Sequence, residues 1–163
     1  MEQKEIIAQL MKEGAKKVSD VTIKNVTVTV MDDYTRLALT LNKEVDGYKA
    51  EEDGTYTPAK VKVIFVSAFS IASLLKDNDD AAFAANHLVK HPDAIAMILS
   101  RANVTIVQQS VKEGEEYTNP FSETAEPVTF DHDVIINYVT DIKLSDFGLK
   151  RLDRLADKML GFV

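Results

Sequence analysis

The chain contains 163 residues with a formal net charge of −7, and 45% of its residues are hydrophobic and 28% are charged. This length can bury a core without disulfides or metal ions, so we expect a single domain spanning residues 1–163. Cysteine is absent, which excludes disulfides, thiolate nucleophiles and cysteine-bound zinc. The acidic, amphipathic opening MEQKEIIAQL differs from a secretory signal, and the longest apolar stretch, residues 63–75, is too short for a membrane span. We therefore expect neither secretion nor membrane insertion.

The first third of the chain predicts a helix followed by two strands. Apolar residues recur at helical spacing over residues 2–18, which indicates an amphipathic helix. Over residues 21–30 the apolar residues alternate, and the alternation slips by one position at Lys24-Asn25, which predicts a β-bulge. A second alternating run covers residues 34–42, and Asp32-Asp33 provides turn residues between the two runs. Together these patterns predict a β-hairpin.

A third strand is predicted after a loop. Residues 43–58 contain two glycines and several acids, a composition typical of a long exposed loop. The next segment, VKVIFV at residues 61–66, has apolar side chains on both faces. A strand that is covered on both sides has this pattern, so we expect it at the centre of the sheet.

The second half of the chain predicts a helical block followed by two strands and a last helix. Residues 67–100 have helical periodicity, which predicts two or three short helices, with Pro92 in the first turn of one of them. Strands are predicted at residues 104–111 and 134–142, and an amphipathic helix is predicted at residues 149–163. This order predicts an α+β fold, either a five-stranded OB-like barrel or an antiparallel sheet, with the helical block between strands 3 and 4 and an amphipathic helix at each terminus.

The loop between the last two strands, residues 112–133, contains seven acids and one base. A charge run of this kind often does no more than keep a loop soluble. This loop also carries aromatic side chains that can anchor in a neighbouring protein while the acids steer it towards a basic partner. The predicted partner-binding residues are Tyr117, Asn119, Pro120 and Phe121.

The sequence carries no specific catalytic or cofactor signature. The G-x-S-x-G elbow, the phosphate-binding G-x-x-x-x-G-K-S/T loop and G-x-G-x-x-G are all absent. His87 and His91 are four residues apart and His132 lies between two aspartates, but Pro92 disfavours helical geometry at His91. We therefore predict no metal site, no cofactor, no small-molecule substrate and no enzymatic activity.

Binding of single-stranded DNA is the alternative function. An OB-like barrel binds single strands through aromatic platforms and a basic groove. Suitable residues in or beside the first three strands are Tyr34, Arg36, Lys43, Tyr48, Tyr56, Lys60 and Lys62. The negative net charge opposes this function, because affinity for phosphates depends on clustered lysine and arginine.

Three segments, GEEYTNPFS, FDHDVIINYV and LADKMLGF, resemble sequences of small uncharacterised proteins of tailed, crAss-like bacteriophages. The resemblance implies a role in virion assembly or in phage DNA metabolism, in the cytoplasm of the host cell or in the virion. Together with the predicted surfaces it favours a non-enzymatic structural or adaptor protein that acts through protein–protein contacts. The expected partners are further copies of the chain or another structural protein.

Overall fold

The computed structural model describes residues 2–32, 34–74, 92–122 and 124–159. These residues form an α+β structure with one antiparallel five-stranded sheet, which confirms the predicted class. In chain order the elements are α1 (Gln3–Lys12), β1 (Lys16–Val30), β2 (Thr35–Ala50), β3 (Tyr56–Ser67), α2 (Ala68–Leu74), α3 (Pro92–Ile98), β4 (Asn103–Val111), β5 (Val134–Lys143) and α4 (Asp146–Met159).

The strand order in the sheet is β3-β2-β1-β4-β5, and β1 belongs to both halves of the sheet. Residues 16–22 of β1 pair with β4, whereas residues 23–30 pair with β2. The register shifts once between Val18 and Val21 and again between Ile23 and Asn25, so the predicted slip at Lys24-Asn25 is confirmed. Bulges bend a strand and increase its twist, which lets one strand serve two ladders. The sheet is not closed, because β3 and β5 are its two edges.

The main core lies between the two halves of the sheet. Leu37, Leu39 and Leu41 of β2 are at most 1% exposed, as the alternation predicts, and they pack in one cluster with Ile106 of β4. The helices and the segment that follows α3 add further buried residues to this cluster, namely Ile71 of α2, Ile95 and Ile98 of α3, Leu99 directly after α3, and Leu152 of α4. Burying one such side chain contributes about 1.5–3 kcal/mol, so this cluster is the main source of stability.

A second, smaller core covers the other face of β4 and β5. Its buried residues are Leu10 of α1, Val107 of β4 and Tyr138 of β5, and Tyr117 and Phe121 of the loop pack against them. The helix α1 is therefore attached to the sheet by its apolar face. It ends at Lys12, so Val18 lies in β1 and the predicted helix over residues 2–18 is too long.

The predicted loop over residues 43–58 is wrong. The strand β2 continues to Ala50 and β3 begins at Tyr56, so the two strands form a long hairpin with a short turn. The Thr55 N–H donates to the Asp53 carboxylate at 3.0 Å, and Gly54 adopts a φ of 86° in this turn. The prediction failed because a register shift between Thr40 and Val45 interrupts the alternation, although Val45 is 3% exposed.

The predicted central position of residues 61–66 is also wrong, because β3 is an edge strand. Ile64 is 1% exposed, but Val63 is 38% and Phe65 is 55% exposed. The apolar side chains on the second face of β3 line a groove at the edge of the sheet, and within the described ranges no other layer covers Val63 and Phe65.

The helical block contains α2 and α3 in the described part of the chain. His87 and His91 lie outside the described residues. The closing helix begins at Asp146, three residues before the predicted start. Within the described ranges, no helix combines the length and the apolar content needed to cross a bilayer.

Candidate functional site

A groove of about 730 Å³ runs between the two open edges of the sheet. It is lined by residues 46–48 of β2, by Tyr56 and residues 61–65 of β3, and by residues 132–137 at the start of β5. The strands β3 and β5 approach within 8 Å between Cα atoms, yet they form no ladder with each other. Since every neighbouring pair in the sheet is antiparallel, β3 and β5 run in the same direction.

A buried glutamine holds the two walls of the groove together. Gln108 of β4 is 5% exposed, and its Nε2 donates to the Asp46 carbonyl oxygen at 2.9 Å and to Asn137 Oδ1 at 2.8 Å. The Asp46 carbonyl can only accept, which fixes the orientation of the amide. The glutamine therefore ties β2 to β5 through β4, and it keeps the groove at a set width.

The β2 wall of the groove carries a carboxylate with two lysine partners. Lys60 of β3 donates to Asp46 Oδ1, and Lys16 of β1 donates to Asp46 Oδ2 at 3.1 Å. The hydrogen bond from Lys60 and then that from Lys16 lower the pKa of the Asp46 carboxyl. This group therefore stays ionised at neutral pH, and the three side chains link β1, β2 and β3 on the surface.

An acidic pocket of about 380 Å³ continues the groove at the starts of β3 and β5. We use this name for the space lined by residues 54–56, Glu113 and residues 131–133, three of which also line the groove. The rings of Tyr56 and His132 stack with 3.8 Å between their centroids and 9° between their planes. His132 Nδ1 lies 2.6 Å from Asp131 Oδ1, so the imidazole is oriented from both sides.

The three carboxylates of the acidic pocket differ in their local partners. Asp133 Oδ1 accepts the Glu113 N–H at 2.8 Å, and its Oδ2 lies 3.6 Å from Lys112 Nζ. The Asp131 side chain is 95% exposed. Two of the three negative charges therefore face the pocket without a lysine or arginine partner among the described residues.

The loop over residues 112–133 is fastened to the sheet. Within the loop, the backbones of Tyr117 and Val128 exchange two hydrogen bonds of 2.7 and 2.8 Å. The Tyr138 hydroxyl donates to Gln109 Oε1 at 2.7 Å, so the Tyr117 hydroxyl, 2.5 Å away, donates to Tyr138. Burial raises the pKa of both phenols. These contacts hold one part of the loop against β5 and leave the starts of β3 and β5 facing the acidic pocket.

The residues predicted to bind a partner have contacts inside the chain. The rings of Phe121 and Tyr138 are 5.1 Å apart, and Tyr117 packs in the same cluster. Asn119 Oδ1 accepts the Phe121 N–H at 3.0 Å, and Pro120 is partly exposed. The two aromatic rings therefore anchor the loop to its own sheet, and docking of this loop on a neighbour stays a prediction.

The residues predicted to bind nucleic acid are only partly brought together. Tyr48, Tyr56 and Lys62 line the groove, and Lys60 lies beside it on Asp46. The remaining three residues lie outside the lining. The Arg36 guanidinium is 4.7 Å from the Phe65 ring centroid, and Lys43 Nζ donates to the Ser19 carbonyl at 2.6 Å. Tyr34 is exposed beside the β1–β2 turn.

Sequence reasoning did not identify the aliphatic walls of the groove. These are Val61, Val63 and Ile64 of β3 and Val134, Ile135 and Ile136 of β5. Their signal was the apolar run on both faces of each segment, which fits an open strand edge as well as a buried central strand. Among the described residues, no group of three or more histidine and acidic side chains is arranged to hold a metal ion.

Comparison with known proteins gives no family for this chain. No family model, no curated protein and no solved structure matches it. The groove, the acidic pocket and the chemistry of their linings are therefore the basis for the functional argument.

Proposed function

We propose that this protein acts without catalysis as an adaptor that binds an extended segment of another protein in the groove between β3 and β5. The observation that carries the proposal is the pair of strand edges that flank an apolar groove and that have no ladder partner in the part of the chain that the structure describes. An unpaired edge presents backbone donors and acceptors to an added strand, and pockets for alternate side chains supply specificity.

The strand order supports an OB-like architecture as the finer description of the fold. In a five-stranded barrel of this type the sheet closes between the third and fifth strands, and the barrel is often partly open. Here β3 and β5 are the two ends of the sheet and run in parallel directions, and β1 serves both halves. The groove lies where such a barrel would close, so a partner strand would use hydrogen-bonding groups that the barrel leaves free.

The dimensions of the groove suit a short segment. Residues 61–65 and 134–137 form the two long walls. At about 3.3 Å per residue these walls match an extended segment of roughly four or five residues. The exposed Val63 and Phe65 side chains would be covered by apolar side chains of this segment, which removes apolar surface from water.

Binding of single-stranded DNA remains the second candidate, because Tyr48, Tyr56 and Lys62 line the same groove. Bases can stack on exposed aromatic rings, and lysine can neutralise phosphates. Against it, the described residues of the lining include two aspartates and a single lysine, and branched aliphatic side chains provide no stacking platform. The composition of the lining therefore favours a peptide. The bacteriophage setting stays a prediction.

Selection of random linear nonapeptides displayed on a surface, with the full chain as target, tests the adaptor function. We expect binders that alternate apolar residues and that lose affinity when Val63→Lys places a charge in the groove. Val30→Lys is the matched control, because Val30 is 74% exposed and lies outside the groove. A selection that yields no binder sensitive to Val63→Lys refutes the proposal. Tight, salt-dependent binding of an oligothymidine, lost when Lys62→Glu reverses the positive charge in the groove, would instead support the DNA-binding function.

A further inference from the structure

We infer that the partner segment carries an arginine or lysine directly after its apolar residues, and that this cation occupies the acidic pocket. The inference rests on the proposed binding of an extended segment in the groove. It adds the charge and the direction of the segment, neither of which the apolar walls determine.

The first step of the argument is continuity between the two spaces. Tyr56, His132 and Asp133 line both the groove and the acidic pocket. A segment that lies along β3 and β5 therefore reaches the pocket without leaving the surface. Because β3 begins at Tyr56 and β5 begins at Val134, the pocket lies at the starts of both strands.

The second step is charge complementarity. The pocket is lined by Glu113, Asp131 and Asp133, and the lysine at 3.6 Å from Asp133 offsets only part of their charge. An acidic end of a partner would be repelled by these carboxylates and a neutral end would gain no ion pair with them, whereas a guanidinium or ammonium group gains charge-assisted hydrogen bonds. The stacked pair of Tyr56 and His132 gives the pocket a flat wall, which suits the planar guanidinium group.

The third step sets the direction of the segment. Antiparallel pairing is the more frequent and the slightly more stable arrangement between strands. Because β3 and β5 run in the same direction, antiparallel pairing with either edge gives the segment the same direction. Its carboxyl-terminal end then lies at the starts of β3 and β5, which is the position of the acidic pocket. From the amino to the carboxyl end, the partner segment therefore carries its apolar residues first and its arginine or lysine last.

The test uses synthetic copies of the selected nonapeptides, with binding to the full chain measured by fluorescence anisotropy at two salt concentrations. We expect the basic residue after the apolar positions, and an affinity loss of about fivefold when it is replaced by glutamine, as for a partly exposed ion pair. The double variant E113Q/D131N should lose a similar factor. The double variant E115Q/E116Q is the matched control, since it removes the same charge from exposed positions of the same loop outside the pocket.

The outcomes separate this inference from the proposed function. Peptides that depend on Val63 but bind E113Q/D131N as tightly as the unmodified chain overturn the inference and leave the adaptor function standing. A basic residue placed before the apolar positions overturns the direction. If no peptide depends on Val63, both proposals fail. Thermal unfolding of each variant shows whether a loss of binding reflects a loss of folding.

Discussion

Gly148 in the first turn of α4 provides a sharp test of the helix packing. A Cβ atom at this position would lie 2.2 Å from the Ile98 carbonyl oxygen of α3, and real Cβ atoms do not approach other atoms within 3.0 Å. We therefore expect Gly148→Ala to destabilise the protein, because the obstacle is backbone and cannot rotate away. The substitution would force α3 and α4 apart by about 1 Å, in an interior that is close-packed.

Two opposing effects determine the size of this change. Alanine is favoured over glycine in a helix by about 1 kcal/mol. Overpacking of a close contact typically costs about 1–3 kcal/mol, and occasionally more. The separation also loosens the cluster that contains Leu152 of α4 and Ile98 of α3, which are 6% and 1% exposed. Because the obstacle is a backbone oxygen at 2.2 Å, the overpacking cost should reach about 3 kcal/mol. Subtracting the gain of about 1 kcal/mol leaves a net loss of about 2 kcal/mol in the free energy of unfolding, or a Tm lower by roughly 4–8 °C.

Urea unfolding followed by circular dichroism at 222 nm would measure this loss. The control is Lys150→Ala, which changes an exposed residue of the same helix and should leave the midpoint nearly unchanged. If Gly148→Ala is as stable as the unmodified protein, or more stable, then helix propensity outweighs the contact. The close approach of α4 to Ile98 would then be refuted.

Three further results are expected from urea unfolding and, for the first, from hydrogen exchange. Phe121→Ala should cost about 1–2 kcal/mol and speed hydrogen exchange in the 112–133 loop, because the ring packs on Tyr138; unchanged exchange would contradict this anchoring. Burial raises the pKa of Tyr117 and Tyr138 in the folded protein. Their contribution to the free energy of unfolding is therefore complete below about pH 10 and decreases at higher pH, and Tyr138→Phe should make this decrease smaller. The lowered pKa of Asp46 acts in the opposite sense, because its contribution to the free energy of unfolding is present above about pH 4 and is lost at lower pH. Asp46→Asn should therefore make the free energy of unfolding less dependent on pH in acid.

Local patterns predicted those parts of the fold that local chemistry determines. The alternation of Leu37, Leu39 and Leu41 predicted β2, and all three side chains are buried. The slip at Lys24-Asn25 predicted a bulge, and the register shifts there. Both signals depend only on which face of a strand meets the core, and a short stretch of sequence contains that information.

The candidate site could not be predicted in the same way. Its walls come from residues 46–48, 61–65 and 132–137, which are far apart in the chain and meet only through the order of strands in the sheet. The run VKVIFV has the same composition whether it is covered by a second layer or borders an open groove. Similarly, the aromatic residues of the acidic loop were predicted as anchors, but their contact with Tyr138 depends on the position of β5.

The double role of β1 has a consequence for synthesis of the chain. Residues 23–30 can pair with β2 as soon as the first hairpin has emerged, and β3 can follow. Residues 16–22 must wait for β4, whose first residue follows about 80 positions later. At roughly 5–20 residues per second, the ribosome needs about 4–16 s to supply it. During that interval the amino-terminal half of β1 has an unpaired edge, which makes the nascent chain a natural client for a chaperone that shields such edges.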